Sequence, residues 1–309
     1  MKIGSKGIDV RTLQQRLNKA GANPQLIVDG LFGESTKAAV IAFQKSQGII
    51  PIGIAGPRTQ RALQGIVDPK HASQNDLQKA AEKLGVSLAV MATIAEVESI
   101  GEGFFGNTGK PIILFERHVF HERALASGLF DEAPELEHKY PNVCNPAPGG
   151  YAGGNAEYQR FKLACTLSST TAKESCSWGM FQIMGYHWQI LGYDSVDHFV
   201  AAMHESEANH IDAVVRFIKS QPEMHKALQQ KEWSEFAYRY NGPAYHRNLY
   251  DVKLKRAYEE CQEVFPELEH SGVEPAHDNG DEHEVMTVKA NQKPASKRKS
   301  ARNNRGKQS

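Results

Sequence analysis

The sequence of 309 residues is poor in cysteine, has no charge imbalance and contains no long apolar run. Its cysteines are Cys144, Cys165, Cys176 and Cys261, and none falls in a C-x-x-C pair. Four scattered cysteines in a chain of this length make no disulfide framework. They fit synthesis in a reducing cytoplasm, and a Cys165–Cys176 bridge stays open for an oxidising compartment. Thirty-six basic residues balance 36 acidic ones, so no global field draws the chain to nucleic acid or membrane. No stretch approaches the roughly 20 apolar residues that span a bilayer, so no transmembrane segment is expected. The N-terminal MKIGSKGIDV lacks a signal-peptide core. Action outside the cytoplasm would then need a separate release route. With 40% hydrophobic and 23% charged residues, the composition is that of an ordinary soluble protein. Residues 267–284 are acidic and 289–307 are basic, both without apolar periodicity. Residues 266–309 are therefore expected to be a disordered charged tail.

What is present begins with an internal repeat. DGLFGESTKAAV (29–40) and IGIAGPRTQRAL (52–63) match at a fixed offset, pairing Gly30 with Gly53, Gly33 with Gly56 and Thr36 with Thr59. Each copy reads as a Gly-x-x-Gly turn followed by a helix. That helix is expected to begin at residue 35 or 36, and at 58 or 59, where a hydroxyl can cap it. A further helix is expected from Asp9 to Ala20, with Val10, Leu13 and Leu17 on one face. Three short helices over residues 1–65 predict a small bundle. The second copy has Ile52 in place of Asp29 and Ala55 in place of Phe32.

A linker, 66–74, contains Pro69, and helices then resume. Asn75 and Gln78 suit a capping box, and Leu77, Ala80, Ala81 and Leu84 form a stripe that Gly85 ends. The next helix starts after Ser87 and stops at Gly101 and Gly103. Met91, Ile94, Ala95 and Glu98 share its apolar face by i, i+3, i+4, i+7 spacing. Glu96 falls towards the polar side. Apolar surroundings and the negative end of the helix dipole both push the Glu98 carboxyl up. A carboxyl kept protonated near neutral pH can act as a general acid. The competing reading is a helix-end glutamate satisfied by an arginine or a backbone donor.

Other segments carry possible chemistry. Glu116 ends the apolar PIILFERHVF (111–120), a strand or buried extended segment, and pairing with Arg117 is its structural alternative. SWGMFQIMG (177–185) places Trp178 and Gln182 beside two glycines; Trp stacks on sugar faces and Gln bonds acetamido or hydroxyl groups. YNGP (240–243) puts Tyr240 and Asn241 at a Pro-bounded turn. The alternatives are a core tryptophan and a simple helix stop. Residues 131–157 read as a long irregular loop. Helices are expected around Ile211–Ile218, Trp233–Tyr240 and Asn248–Val264.

VRTLQQRLNKAG and VDGLFGESTKAAVIAFQKSQGI resemble the peptidoglycan-binding module of wall hydrolases over residues 4–65. In that module Asp29 and Phe32 become wall-contact candidates, with a core position as the alternative for Phe32. The set IAEVES, PIILFERHVF, SWGMFQIMGYHW, FVAAMHESEANHIDAVVRFI and FAYRYNGPAY resembles the N-acetylmuramidase domain of modular endolysins from phages of Gram-negative bacteria, over residues 75–262. GMFQ and YNGP are also similar to cleft motifs of goose-type lysozymes and lytic transglycosylases. The resemblance implies a mainly α architecture: a three-helix N-terminal bundle, then a lysozyme-like, mostly helical catalytic domain (75–265) with a small β element. It implies cleavage of the β-1,4 bond between N-acetylmuramic acid and N-acetylglucosamine for host lysis. It places Glu98 as acid, Glu116 as second carboxylate, and Trp178, Gln182, Tyr240 and Asn241 along the cleft.

The expected partner is the glycan strand, with holin-dependent release, no specific nucleic acid, no cofactor and a monomeric state. Synthesis is expected in the host cytoplasm and action in the periplasm. Removing residues 1–65 should weaken wall binding and leave cleavage of soluble glycan fragments. A lytic transglycosylase would break the same bond with one glutamate, giving 1,6-anhydro products; Glu116 favours hydrolysis. A zinc enzyme finds only His118 and His121, with no His-Glu-x-x-His and no third ligand, so no metal site is expected. A non-catalytic wall-binding protein would need Glu98 to be purely structural.

Overall fold

The computed structural model describes residues 1–99, 101–106, 108–132 and 135–266. All of the charged tail beyond Pro266 lies outside these residues. Helices dominate, in the order α1 (Ile8–Lys19), α2 (Glu34–Ser46), α3 (Pro57–Ala62), α4 (Gln74–Leu84), α5 (Leu88–Val97), α6 (Arg117–Ala126), α7 (Leu129–Glu132) and α8 (Leu136–Lys139). Then follow α9 (Glu157–Leu167), α10 (Ser169–Glu174), α11 (Val196–Glu205), α12 (Glu207–Lys219), α13 (Pro222–Gln229), α14 (Trp233–Asn241) and α15 (Tyr250–Val264). The β element is one antiparallel sheet of β1 (Ile113–Phe115), β2 (Cys176–Trp178) and β3 (Ile183–Met184), in that order. No described helix is long and apolar enough to cross a membrane.

The N-terminal repeat is organised around two buried glutamines. Gln14 donates to Asp29, to the Leu31 carbonyl and to Thr36 Oγ1, and its own oxygen accepts from Gly30 N. Gln44 does the same in the second copy, donating to the Ile54 carbonyl and Thr59 Oγ1 and accepting from Gly53 N. Both turn glycines have positive φ, 77° and 73°, which favours glycine. The helices start at Glu34 and Pro57, earlier than expected, with Gly33 and Gly56 as caps and no side-chain cap bond. Thr36 and Thr59 point inward to the glutamines instead of capping.

Phe32 (2% exposed) packs in this bundle's core with Val10, Leu13 and Val40. It presents no face to a sugar, which corrects its assignment as a wall contact. Asp29 is tied to Gln14 and Leu31 N, and those bonds hold its carboxyl below the usual range.

The second copy is apolar because it docks. Ile50 and Ile52 pack with the large core of the remaining chain, as does Ala72 from the stretch expected to be a linker. Residues 1–267 cluster as one compact unit. Removing residues 1–65 would uncover part of that shared core, so the two modules are not structurally independent. The capping box that opens α4 is made by Ser73 and Asp76, not Asn75 and Gln78. Ser73 wins because its hydroxyl precedes the first helical residue and Asp76 reaches back to its N–H.

α5 is capped by Ser87 and buried all round from Ala89 to Ala95. A helix apolar on every side belongs in a core, and this one ends with Glu98 as its C-cap residue. The sheet packs beside it in the same core. All four cysteines are free, Cys165 and Cys176 included.

Candidate active site

Glu98 leaves the buried α5 where the helix turns out of the core. Asn241, the last residue of α14, donates to both carboxylate oxygens, at 3.1 and 3.3 Å. Burial pushes the carboxyl up to about 7, against the lowering effects of the Asn241 bond and the Lys253 charge. A half-buried acid of this kind keeps its proton to near neutral pH. Tyr240 stacks on Phe236 and meets Phe217 edge-on. Its hydroxyl is buried without a hydrogen-bond partner among the described residues. Burial first, and the nearby Glu98 charge second, raise that hydroxyl well above the usual tyrosine range. Tyr240 and Asn241 thus lie beside Glu98.

Glu96, two residues earlier, is not on a solvent-facing polar side. It is half-buried and lines a cavity of about 770 Å³ between the N-terminal bundle and α15, with Lys2, Lys37 and Glu260. Burial, then the Glu260 charge, pushes its carboxyl up to about 7 as well. It accepts from Cys261 Sγ at 3.8 Å. The sequence pattern placed it wrongly because α5 has no solvent face: the surface opposite Glu98 is covered by α15 and the bundle.

Glu116 stands at the end of β1, before α6. Tyr151 donates to its carboxylate at 2.9 Å, and His118 Nδ1 lies 3.2 Å away. Arg117 does not pair with it. That guanidinium donates to the carbonyls of Pro141, Ala147 and Pro148. Arg160 binds the Asn142 and Phe115 carbonyls and the buried Glu157, whose other oxygen accepts from Ala152 and Gly153 N. These contacts lace residues 141–157 onto the sheet and deliver Tyr151 to Glu116. The long loop is therefore a built part of this region. Glu116 and Glu98 share no hydrogen-bond partner among the described residues. His118 and His121 face Glu116 and Glu137, respectively.

Two expected cleft residues are structural. Trp178 is 1% exposed, its ring packed against Phe161 and its Nε1 donating to the Lys173 carbonyl. It cannot stack on a glycan in this fold. Gln182 sits at φ 51° in the β2–β3 turn. Its amide donates to the Gly179 and Ile112 carbonyls and accepts from Ser177 Oγ. Its polar atoms hold the turn, leaving no free amide donor for substrate.

The sequence reading missed Glu207 and His210, one turn apart at the start of α12. Glu207 is fully buried and accepts from Arg58 Nη2 at 2.6 Å, Ala72 N at 2.8 Å and Gly103 N at 2.8 Å. His210 accepts from Met180 N and bonds the Met203 carbonyl.

Residues 87–262 match the N-acetylmuramidase family model, more than half of the chain. The chain belongs to the N-acetylmuramidase family. Residues 6–63 of this muramidase match the peptidoglycan binding domain model. Among solved structures, it is similar to a Burkholderia AP3 phage endolysin at 45% identity and a TM-score of 0.79, covering 85% of this chain and 99% of that one. A zinc D-Ala-D-Ala carboxypeptidase of Streptomyces albus G is 46% identical over 66 residues, 21% of this chain and 26% of that protein. An N-acetylmuramoyl-L-alanine amidase of Bacillus licheniformis is 38% identical over 85 residues, 27% of this chain and 24% of that protein. The muramidase thus spans about a quarter of the length of these two curated relatives.

Proposed function

We propose that this muramidase is a two-module peptidoglycan hydrolase, with residues 1–65 binding the wall and 75–265 cleaving the β-1,4 bond between N-acetylmuramic acid and N-acetylglucosamine. The observation that carries the reading is Glu98: a carboxyl held protonated to about pH 7, gripped by Asn241 at the end of a buried helix. Glu98 protonates the glycosidic oxygen as the bond breaks. Glu116 serves as the second carboxylate, activating water or stabilising the oxocarbenium-like state. Tyr151, half-exposed and bonded to Glu116, supplies the aromatic face that the buried Trp178 does not. Wall binding falls to the first repeat copy, where a groove of about 770 Å³ is lined by Pro24, Asp29, Ser35, Ala38 and Phe43. Cytoplasmic synthesis, release through a holin and action as a monomer in the periplasm complete the reading.

Mass spectrometry of soluble products from purified peptidoglycan tests it, with wild type and Glu98→Gln side by side. Products ending in reducing N-acetylmuramic acid, absent from the variant, are expected. Products ending in 1,6-anhydro-muramic acid would reassign the reaction to a lytic transglycosylase. Free peptides over intact glycan would overturn the reading.

A further inference from the structure

Residues 101–104, shortly after Glu98, are held by α12 and by two arginines of the N-terminal module, Arg58 and Arg61. Glu207 Oε1 accepts from Gly103 N, five residues after Glu98. Its other oxygen accepts from Ala72 N and from Arg58 Nη2, on α3 of the second repeat copy. Arg58 also donates to the Gly101 carbonyl at 3.4 Å. Arg61, one turn along α3, pairs with Glu102 at 2.6 Å. Gly103 is pressed so closely that a Cβ there would meet His210 Nδ1 at 2.3 Å and Glu207 Cγ at 2.8 Å. His210 in turn stacks on Phe104 and holds Met180 N, in the turn that leads to Gln182. One end of α12 thus clamps both the turn after Glu98 and the GMFQ turn.

We propose that Arg58 of the wall-binding module is a positioning residue for Glu98, acting through Glu207 on the 101–104 turn. The inference rests on Glu98 being the acid, as proposed above. The physical reason is charge. Glu207 is fully buried, and a buried carboxylate keeps its place only while paired and hydrogen-bonded. Arg58, with only a tenth of its side chain exposed, supplies that pairing. Without it the buried Glu207 carboxylate keeps only its two backbone donors and must shift or draw in water. Either change weakens its hold on Gly103 N and frees the segment that sets the Glu98 carboxyl. The wall-binding module then completes the active site as well as anchoring it.

The test uses the full chain with Arg58→Met and Arg58→Lys, assayed on soluble glycan fragments that need no wall anchoring. Arg58→Met is expected to lower kcat by about 10²-fold, the scale of a small misplacement of a catalytic group, with KM little changed. Arg58→Lys, which keeps the charge, is expected to recover part of the rate. Amide hydrogen exchange at Gly101–Phe104 should rise in Arg58→Met and return towards wild type in Arg58→Lys. Should Arg58→Met not fold, Arg58→Met with Glu207→Gln removes the stranded charge and is judged by the same two readings. A folded variant with wild-type kcat and wild-type exchange overturns the proposal. The exchange reading holds even if the chain proves to have another activity, so failure of the functional reading and failure of this coupling are told apart.

Discussion

Glu96 and Glu98 are two residues apart on one helix end, and both carboxyls are pushed up to about 7 by burial. Their surroundings differ in kind. Glu98 meets Asn241 and the buried hydroxyl end of Tyr240, at the end of α14. Glu96 meets Cys261, Glu260 and Lys37, across the seam between the bundle and α15. A raised pKa therefore does not by itself pick out a catalytic acid, since any carboxyl trapped in a buried seam acquires one. What separates the two is their partners: an amide that orients the carboxyl on one side, a charged inter-module cavity on the other.

The contrast can be broken most directly by activity. Glu98→Gln is expected to lower turnover of peptidoglycan by about 10³-fold, within the usual range for loss of a general acid. Glu96→Gln is expected to stay within a few-fold of wild type. Turbidity loss of purified walls, followed with both variants at equal protein, reads the difference. Comparable loss in both would mean the seam is part of the active site.

Stability should show the opposite, a likeness. Each glutamate binds its proton more tightly folded, at about 7, than at the ordinary 4.5. At these two groups the folded state then holds more protons than the unfolded one between those values, so their contribution to stability falls as pH rises. The contribution is fully present below about 4.5 and lost by passage through about 7. The shift corresponds to a loss on the order of 3 kcal/mol per group. Four histidines held low by burial, His71, His187, His204 and His210, slope the other way over the acid part of this range, so the reading is each variant against wild type: in thermal melts from pH 4.5 to 8, Glu96→Gln and Glu98→Gln should each lose stability less steeply than wild type as pH rises. A variant whose stability relative to wild type does not change with pH over this range would contradict the raised pKa of the residue it replaces.

A smaller effect is expected from Asn241→Ala. Its amide favours the ionised Glu98, so its removal moves the carboxyl further up and shifts the basic limb of kcat/KM to higher pH. Turnover should fall by roughly 10-fold as the carboxyl loses its orientation. An unmoved limb in the pH–rate profile would show that Asn241 does not act on Glu98.

Much of this site was legible because its signals are local. The Ser87 cap, the apolar run and the glycine stop place Glu98 at a helix end, and YNGP places Asn241 at another. Their meeting is a tertiary event that spacing alone does not specify. Trp178 was misplaced because a tryptophan beside glycines looks the same in a cleft wall and in a short buried hairpin. Only the pairing of β2 with β1 decides the matter, burying the ring. Glu207 shows the limit of the stripe argument. With Ile211, Val214 and Ile218 it follows the same i, i+4, i+7, i+11 face, a carboxylate in a core position like Glu98. The pattern that marks Glu98 also fits Glu207, although the reading passed over it, and their partners separate them: Glu207 is neutralised by Arg58, whereas Glu98 has no cation within bonding distance among the described residues. The docked second repeat copy is legible in hindsight, since Ile52 replaces Asp29 where that copy meets the large core.

Whether Glu98 is the acid is decided by the pH–rate profile on purified peptidoglycan for wild type, Glu96→Gln and Glu98→Gln. Wild type should show a basic limb near pH 7 and Glu96→Gln the same limb, while Glu98→Gln should stay near background at every pH. A limb that disappears with Glu96→Gln, or substantial turnover in Glu98→Gln, would contradict the assignment of Glu98 as the acid.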